Sequence, residues 1–124
     1  MSFNTLPTSL PFYIHLLLET PASLNFFFRP SNQLALPAPQ AHAIIKQYAI
    51  LLLSSNLVAL IFALREVDGL SRNVAGALAV YHAAPLVRAL AGIGEERGLG
   101  GPWVHALVHG VALVGLGGLF VGVW

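Results

Sequence analysis

The sequence contains no cysteine and very little charge of either sign. Its 124 residues include five acidic and six basic side chains, for a formal net charge of +1. Without cysteine, the chain has no disulfide framework, no thiol nucleophile and no thiolate metal site. A net charge so close to zero, with no basic cluster, provides no electrostatic attraction to nucleic acid. The sequence therefore predicts no nucleic-acid partner.

Charged residues make up only 9% of the chain and hydrophobic residues 56%. Soluble domains carry about 25% charged residues, and a domain this small leaves much of its surface in water. The composition therefore predicts an integral membrane protein whose partner is the lipid bilayer. The first eleven residues lack Lys and Arg, so the apolar stretch from Phe12 is interpreted as a membrane helix instead of a secretory signal. The endoplasmic reticulum is the default expectation for its membrane.

Common catalytic motifs are also missing. The sequence has no P-loop, no GxSxG, no dinucleotide-binding fingerprint and no HExxH. It has no inverted repeats of the kind that mark transporters. Few polar residues fall on one continuous helical face, so an ion channel is a less favoured interpretation. The sequence therefore predicts no bound cofactor.

Four apolar segments follow one another along the chain and define its predicted architecture. Short links favour antiparallel neighbours, so the fold class is an all-α integral membrane bundle of four transmembrane helices, up-down-up-down, in a single domain (1–124). Pro21 is expected to kink the first helix, and Ser71 or Asn73 is expected to cap the third. The predicted helices are 12–28, 44–64, 74–93 and 103–124.

Small residues are expected to make the contacts between helices, because they let backbones approach closely in lipid. Two rows of small residues, spaced three or four positions apart, are the candidates for these contacts. Contacts within one monomer are favoured over a homodimer face, although a homo-oligomer or a membrane protein partner stays open. The rows are Gly115, Gly118 and Gly122 on the fourth segment, and Ala75, Ala79 and Ala83 on the third.

Glu19 is the only acidic residue well inside an apolar segment. An ionisable group near the bilayer centre costs at least about 2.5–3.5 kcal/mol, so it usually faces the bundle interior or a wet cavity. His15, Glu19 and Ser23 are spaced four apart and share one helical face. Glu19 is therefore a candidate proton donor or acceptor, with a structural hydrogen bond to another helix as the equally weighted alternative.

Two neighbouring residues on the third segment, Tyr81 and His82, are the other catalytic candidates, because both exchange protons. Asn56 and Arg88 are candidates for substrate binding. Asn56 is also a common type of residue for bonding a neighbouring helix, and Arg88 for extending its charged end to the membrane interface. Tyr81 is expected to share a face with Arg88, and His82 to point elsewhere.

His105 and His109 are four apart on the fourth segment. Together with Glu19 they offer two imidazoles and one carboxylate, a donor set that binds transition metals. Both histidines lie in the first two turns of their helix, so solvated or helix-bridging histidines are the favoured interpretation. The sequence therefore predicts no metal site.

The run LLLETPASLNFFFRPSNQL, with the segment QYAILLLSSNLVALIFALREVDGLSRNVAGALAVYHAAPLVRAL after it, resembles small four-helix membrane proteins of filamentous fungi. The resemblance covers 16–90 and carries no known activity or functional residue. In size and ground plan the chain is also similar to small anthrone-oxygenase-type membrane proteins. That similarity implies lipid or secondary-metabolite processing.

Two function classes follow. In the first, the bundle is an enzyme in which Glu19, with Tyr81 or His82, moves protons on a lipophilic small molecule. Isomerisation, cyclisation and cofactor-free oxidation all fit. In the second, the chain is a non-catalytic membrane scaffold or accessory subunit, and its polar residues only bond helices together.

Overall fold

A computed structural model describes residues 7–94 and 101–123, and this part of the chain is helical throughout apart from its links. The four long helices correspond to the four predicted segments. The largest difference is at the start of the third, which begins at Gly69 instead of Val74. The link after the first helix contains two short 3₁₀ turns, Pro30–Gln33 and Pro39–Ala41. The helices are α1 Leu10–Phe28, α2 His42–Ala63, α3 Gly69–Ala91 and α4 Gly101–Val121.

The start of α3 is capped by Asp68, so the predicted cap at Ser71 or Asn73 is wrong. The Asp68 carboxylate accepts hydrogen bonds from the backbone N–H and the hydroxyl of Ser71, each at 2.8 Å. Those bonds, and to a lesser extent the nearby Arg65 guanidinium, hold the pKa of Asp68 below its usual range. The early cap explains why α3 begins five residues ahead of the predicted boundary.

Pro21 lies inside α1 without ending it. The helix continues for seven residues past the proline, to Phe28. The Pro21 ring is exposed on the outside of the bundle. A proline removes one backbone donor, and membrane helices tolerate this loss.

The helices form two hairpins that meet around a shared interior. Helix α1 packs mainly against α2 and α3 mainly against α4, with a smaller contact between α1 and α4. Phe12 near the start of α1, Phe62 near the end of α2, Ala75 near the start of α3 and Leu119 near the end of α4 belong to one apolar cluster. Because starts and ends alternate at this end of the bundle, the helices run up, down, up and down.

Small residues make close contacts between the helices, and Gly115, Ala75 and Ala79 are among those that the sequence predicted. Gly76 on α3 faces the ring of Phe120 on α4, where a Cβ would lie 2.7 Å from the nearest ring carbon. A Cβ on Gly115 would lie 3.6 Å from Pro11 on α1. Ala75 and Ala79 are buried, and Ala83 is half-buried. Gly122 follows the last residue of α4 and has a φ of +81°, which favours glycine.

Three of the helical stretches are long and apolar enough to cross a bilayer. Only 22–28% of each apolar window is buried inside the bundle, and the exposed residues include many large apolar side chains. A soluble protein rarely exposes so much contiguous apolar surface. These helices therefore indicate a membrane protein, with α1 as an additional helix. The three stretches are Pro39–Ala63, Gly69–Ala91 and Gly101–Val121.

Candidate functional site

The polar residues of α1 lie along one line that faces the bundle interior. His15, Glu19 and Ser23 are all buried, and the Glu19 side chain is only 3% exposed. Their spacing of four residues places them on the same face, as the sequence predicted. Ser23 donates to the backbone oxygen of Thr20 at 3.0 Å and so satisfies its own hydroxyl locally. His15 and Glu19 instead reach across to other helices.

Three histidines form a chain of short contacts through the middle of the bundle. His15 Nδ1 on α1 lies 2.9 Å from His82 Nε2 on α3. The other nitrogen of that ring, His82 Nδ1, lies 2.9 Å from His109 Nδ1 on α4. His82 is fully buried, whereas His109 is partly exposed at the edge of the cluster. These contacts connect three different helices.

The Glu19 carboxylate uses its two oxygens in different directions. Oε2 accepts a hydrogen bond from the Tyr81 hydroxyl at 3.3 Å, and the Tyr48 hydroxyl donates to that of Tyr81 at 3.0 Å. Oε1 lies 3.5 Å from His82 Nδ1 and 3.6 Å from His109 Nδ1. The acid is thus held between a phenol on one side and two imidazoles on the other. We call Glu19, Tyr81, His82 and His109, with His15, the central cluster.

Asn56 extends the central cluster towards α2. Its side-chain amide donates to the Thr20 hydroxyl at 3.3 Å, and it lies near the His15 ring. His15 Nε2 and Asn56 Oδ1 are the two buried side-chain atoms without a hydrogen-bond partner in the described part of the chain. One ring nitrogen and one amide oxygen are a complementary donor and acceptor, so a small side-chain rotation would pair them.

The central cluster lies deep along the helix axes. With a rise of about 1.5 Å per residue, Glu19 is about 13 Å from either end of α1. His82 is about 13 Å from the end of α3, and His109 about 12 Å from the start of α4. All three residues therefore lie well inside the bundle, far from the helix ends where polar groups meet water.

The structure brings together the three predicted catalytic candidates, Glu19, Tyr81 and His82. The expectation that His82 points away from Tyr81 does not separate them, because each residue contacts a different oxygen of the same carboxylate. Asn56 joins through Thr20 and His15. Arg88, the other predicted substrate-binding residue, is exposed near the end of α3, about 9 Å along the axis from His82.

His15 and His109 are the members of the central cluster that the sequence did not single out for catalysis. The sequence paired His109 with His105, but His105 is exposed and donates to the backbone oxygen of Gly101 at 3.0 Å. The structure replaces it with His82. Ligand atoms of Glu19, His82 and His109 all lie within 4.8 Å of one another, which is close enough for one metal ion.

No protein-family model, curated protein or solved structure matches this chain.

Proposed function

We propose that this protein is a small membrane-embedded enzyme that acts on a lipophilic small molecule at the central cluster. The observation that supports the proposal is the convergence of polar side chains from different helices. Glu19, Tyr81, His82 and His109 meet at one point deep inside an otherwise apolar bundle. Scattered helix-bridging bonds would instead place these residues at separate contacts.

The arrangement is suited to moving protons. Glu19, Tyr81 and His82 are all groups that accept or donate protons. The Tyr81 hydroxyl lies 3.3 Å from one carboxylate oxygen of Glu19, and His82 Nδ1 lies 3.5 Å from the other. Burial of this many polar groups is costly in a membrane, which favours a functional reason for their presence. We assign Glu19 and His82 to proton exchange with the substrate, and Tyr81 to holding the carboxylate. Isomerisation and cyclisation of an apolar compound need only proton transfer and fit this arrangement. Cofactor-free oxidation also fits, with dioxygen as the oxidant that takes up the electrons.

The proposal includes α1 as a fourth membrane-spanning helix. Its 19 residues extend about 28 Å, close to the hydrocarbon thickness of about 30 Å. Its polar residues point inward, while Leu17, Leu24 and Phe28 are exposed on the outside. The polar face that lines the interior, with His15, Glu19 and Ser23, lowers the overall hydropathy of α1. Spanning by α1 would place Glu19 near the bilayer centre.

Single cysteines test this placement of α1 in a chain that has none of its own. Thr8→Cys precedes α1 and Ser31→Cys follows it, and both positions are exposed. In sealed vesicles of one orientation, an impermeant thiol reagent should modify only one of them until the membrane is permeabilised. Gln40→Cys, in the same link as Ser31, is the control and should react together with it. Equal reaction at Thr8 and Ser31 in sealed vesicles would show that α1 does not cross.

The second candidate function is a non-catalytic scaffold or accessory subunit. It is favoured by one observation, namely that most polar atoms of the central cluster bond to one another. Such a network holds two hairpins together without any substrate. In that case, replacing Glu19 should lower stability or recovery of a partner and change no small molecule.

The two functions are separated by comparing membranes that contain the wild type with membranes that contain Glu19→Gln. Both are incubated with lipid-soluble extracts, and the apolar compounds are quantified by mass spectrometry. An enzyme should consume or produce a compound in wild-type membranes only. The matched control is Ser54→Ala, an exposed residue on α2 whose hydroxyl donates to Ile50 of its own helix. It should behave like the wild type.

Equal amounts of folded protein are required for this comparison, so helicity and monodispersity in detergent are measured first. If a compound is converted equally by the wild type and by Glu19→Gln, Glu19 is not part of the mechanism. If the purified wild type converts nothing and Glu19→Gln is only less stable, the accessory function is supported.

A further inference from the structure

We infer that Glu19, His82 and His109 bind one divalent transition-metal ion of the zinc or ferrous iron class. This inference goes beyond the proposed enzyme function, because it concerns the ligand set alone and holds whether or not the chain is catalytic. It rests on three atoms contributed by three helices: Glu19 Oε1, His82 Nδ1 and His109 Nδ1.

The three atoms form a nearly regular triangle of the right size. Their separations are 2.9 Å between the two nitrogens, and 3.5 and 3.6 Å from the nitrogens to the carboxylate oxygen. The point equidistant from all three is about 1.9 Å from each, slightly inside the roughly 2.0–2.2 Å at which zinc holds imidazole and carboxylate ligands. An ion with those bond lengths would lie just outside the plane of the triangle. Little rearrangement of the side chains is needed.

His82 and Glu19, the two buried ligands, each also contact a second side chain through an atom that would not bind the metal. A histidine that binds a metal through one nitrogen usually donates its other N–H to an oriented acceptor, which fixes the ring. His82 Nε2 has such an acceptor, His15 Nδ1, at 2.9 Å. The second oxygen of Glu19 accepts from the Tyr81 hydroxyl at 3.3 Å. These contacts are those that an ion at the triangle would require.

The donor types select the class of ion. Two imidazoles and one carboxylate suit zinc, iron and similar ions, whereas magnesium and calcium prefer oxygen ligands alone. The chain has no cysteine to provide soft thiolates. Three protein ligands leave at least one coordination position for a further molecule, as catalytic metal sites do and closed structural sites do not. His109 is the partly exposed ligand, with 11% of its side chain accessible.

A hydrogen-bonded cluster without metal is the competing explanation. A separation of 2.9 Å between two nitrogens is that of a hydrogen bond, and two ligands of one tetrahedral ion lie about 3.3 Å apart. Binding would therefore widen this contact by a few tenths of an ångström and release the shared proton. The hydrogen bond alone does not explain why Glu19 Oε1 is nearly equidistant from both rings.

The test is metal binding by the whole chain, purified in detergent without a histidine tag and stripped with a chelator. Zn²⁺ and Co²⁺ are added in millimolar Mg²⁺. We expect one ion per chain with a Kd of about 1 µM or lower, since structural zinc sites in proteins bind far more tightly still. Bound Co²⁺ should show the visible absorption of nitrogen and oxygen ligands. A wild type that binds neither ion at 100-fold higher concentrations overturns the inference.

Ligand variants locate the ion. His82→Ala, His109→Ala and Glu19→Gln should each raise the Kd by 100-fold or more, because even outer partners of a metal site contribute about 10–100-fold. His42→Ala, which removes a histidine at the start of α2 away from the central cluster, should bind as the wild type does. Undiminished binding in the three ligand variants would place the ion elsewhere and overturn the inference.

A variant that fails to fold does not decide the question, so one conservative change is included. Glu19→Asp keeps a carboxylate and should retain measurable Co²⁺ binding with altered absorption, whereas a purely structural role for Glu19 would leave the absorption unchanged. Metal binding without any conversion of a substrate would support the inference and leave the accessory function standing. Conversion by chelator-treated protein would support the enzyme function without the metal.

Discussion

Replacement of His82 by alanine should weaken the packing between the two hairpins. His82 is fully buried, and both of its ring nitrogens lie 2.9 Å from another histidine. The substitution leaves His15 Nδ1 and His109 Nδ1 without their partner. An unsatisfied buried polar atom costs about 1–3 kcal/mol, and interhelical bonds in membranes lie at the low end, with an average near 0.6 kcal/mol. Two such contacts are lost, so we expect the free energy of unfolding to fall by about 1–2 kcal/mol.

The assay is reversible unfolding in mixed micelles, in which a denaturing detergent is titrated and helicity is followed by circular dichroism. A chelator is present throughout, so that loss of a metal does not contribute to the difference. The control is His105→Ala, since His105 is exposed and bonds only to the backbone of its own helix. That variant should stay within about 0.5 kcal/mol of the wild type. If His82→Ala also stays within that range, the histidine chain does not hold the hairpins together, and the reasoning is refuted.

Three further predictions concern other parts of the chain. Gly76→Ala should destabilise the protein by about 1–2 kcal/mol, because the new Cβ would lie 2.7 Å from the Phe120 ring. In a Phe120→Ala background the same substitution should cause no loss of stability, and an unchanged loss would contradict the contact. Asp68→Asn should lose stability at pH 7, because hydrogen bonds from Ser71 lower the pKa of Asp68 in the folded protein. This stabilisation is fully present above about pH 3.9, the pKa of Asp68 in the unfolded chain, and is lost as the pH falls through its lower pKa in the folded protein. The stabilities of wild type and variant should therefore converge in acid titrations. A constant difference between them down to about pH 2.5 would contradict this prediction. His15→Leu should weaken Zn²⁺ binding about 10–100-fold in equilibrium titrations, because leucine has no acceptor for the N–H of the metal-bound His82 ring, and an unchanged Kd would exclude that role.

Much of the fold follows from local features of the sequence. Apolar length predicts the four helices, because a stretch of about 20 residues must satisfy its backbone internally in lipid. The spacing of His15, Glu19 and Ser23 predicts one inward polar face on α1, and the structure confirms it. The start of α3 was missed because any of several polar residues before the apolar run can act as a cap. In the folded protein Asp68 caps α3, and the local sequence alone does not distinguish it from Ser71 as the cap.

The membership of the central cluster could be predicted only in part. Glu19, Tyr81 and His82 are proton-exchanging residues in apolar segments, so residue type alone identifies them as candidates for the site. His109 was paired with the wrong neighbour because helix α4 is apolar nearly all around, and hydrophobicity then does not fix which face points inward. Packing of Gly115 against Pro11 helps to set that rotation, and it depends on a contact between helices far apart in sequence. His105 shares that face but lies one turn nearer the start of α4, about 6 Å along the axis from His109, and is exposed there.

In the structure, His15, His82 and His109 are joined through both nitrogens of the middle ring. Nitrogen-15 labelling of the five histidines, with the protein in lipid nanodiscs and a chelator present, measures this through couplings across N–H···N hydrogen bonds. We expect two such correlations that share one histidine and disappear in His82→Ala, while His42 and His105 show none. Sharp signals from five independent imidazoles, with no coupling between any two rings, would contradict it.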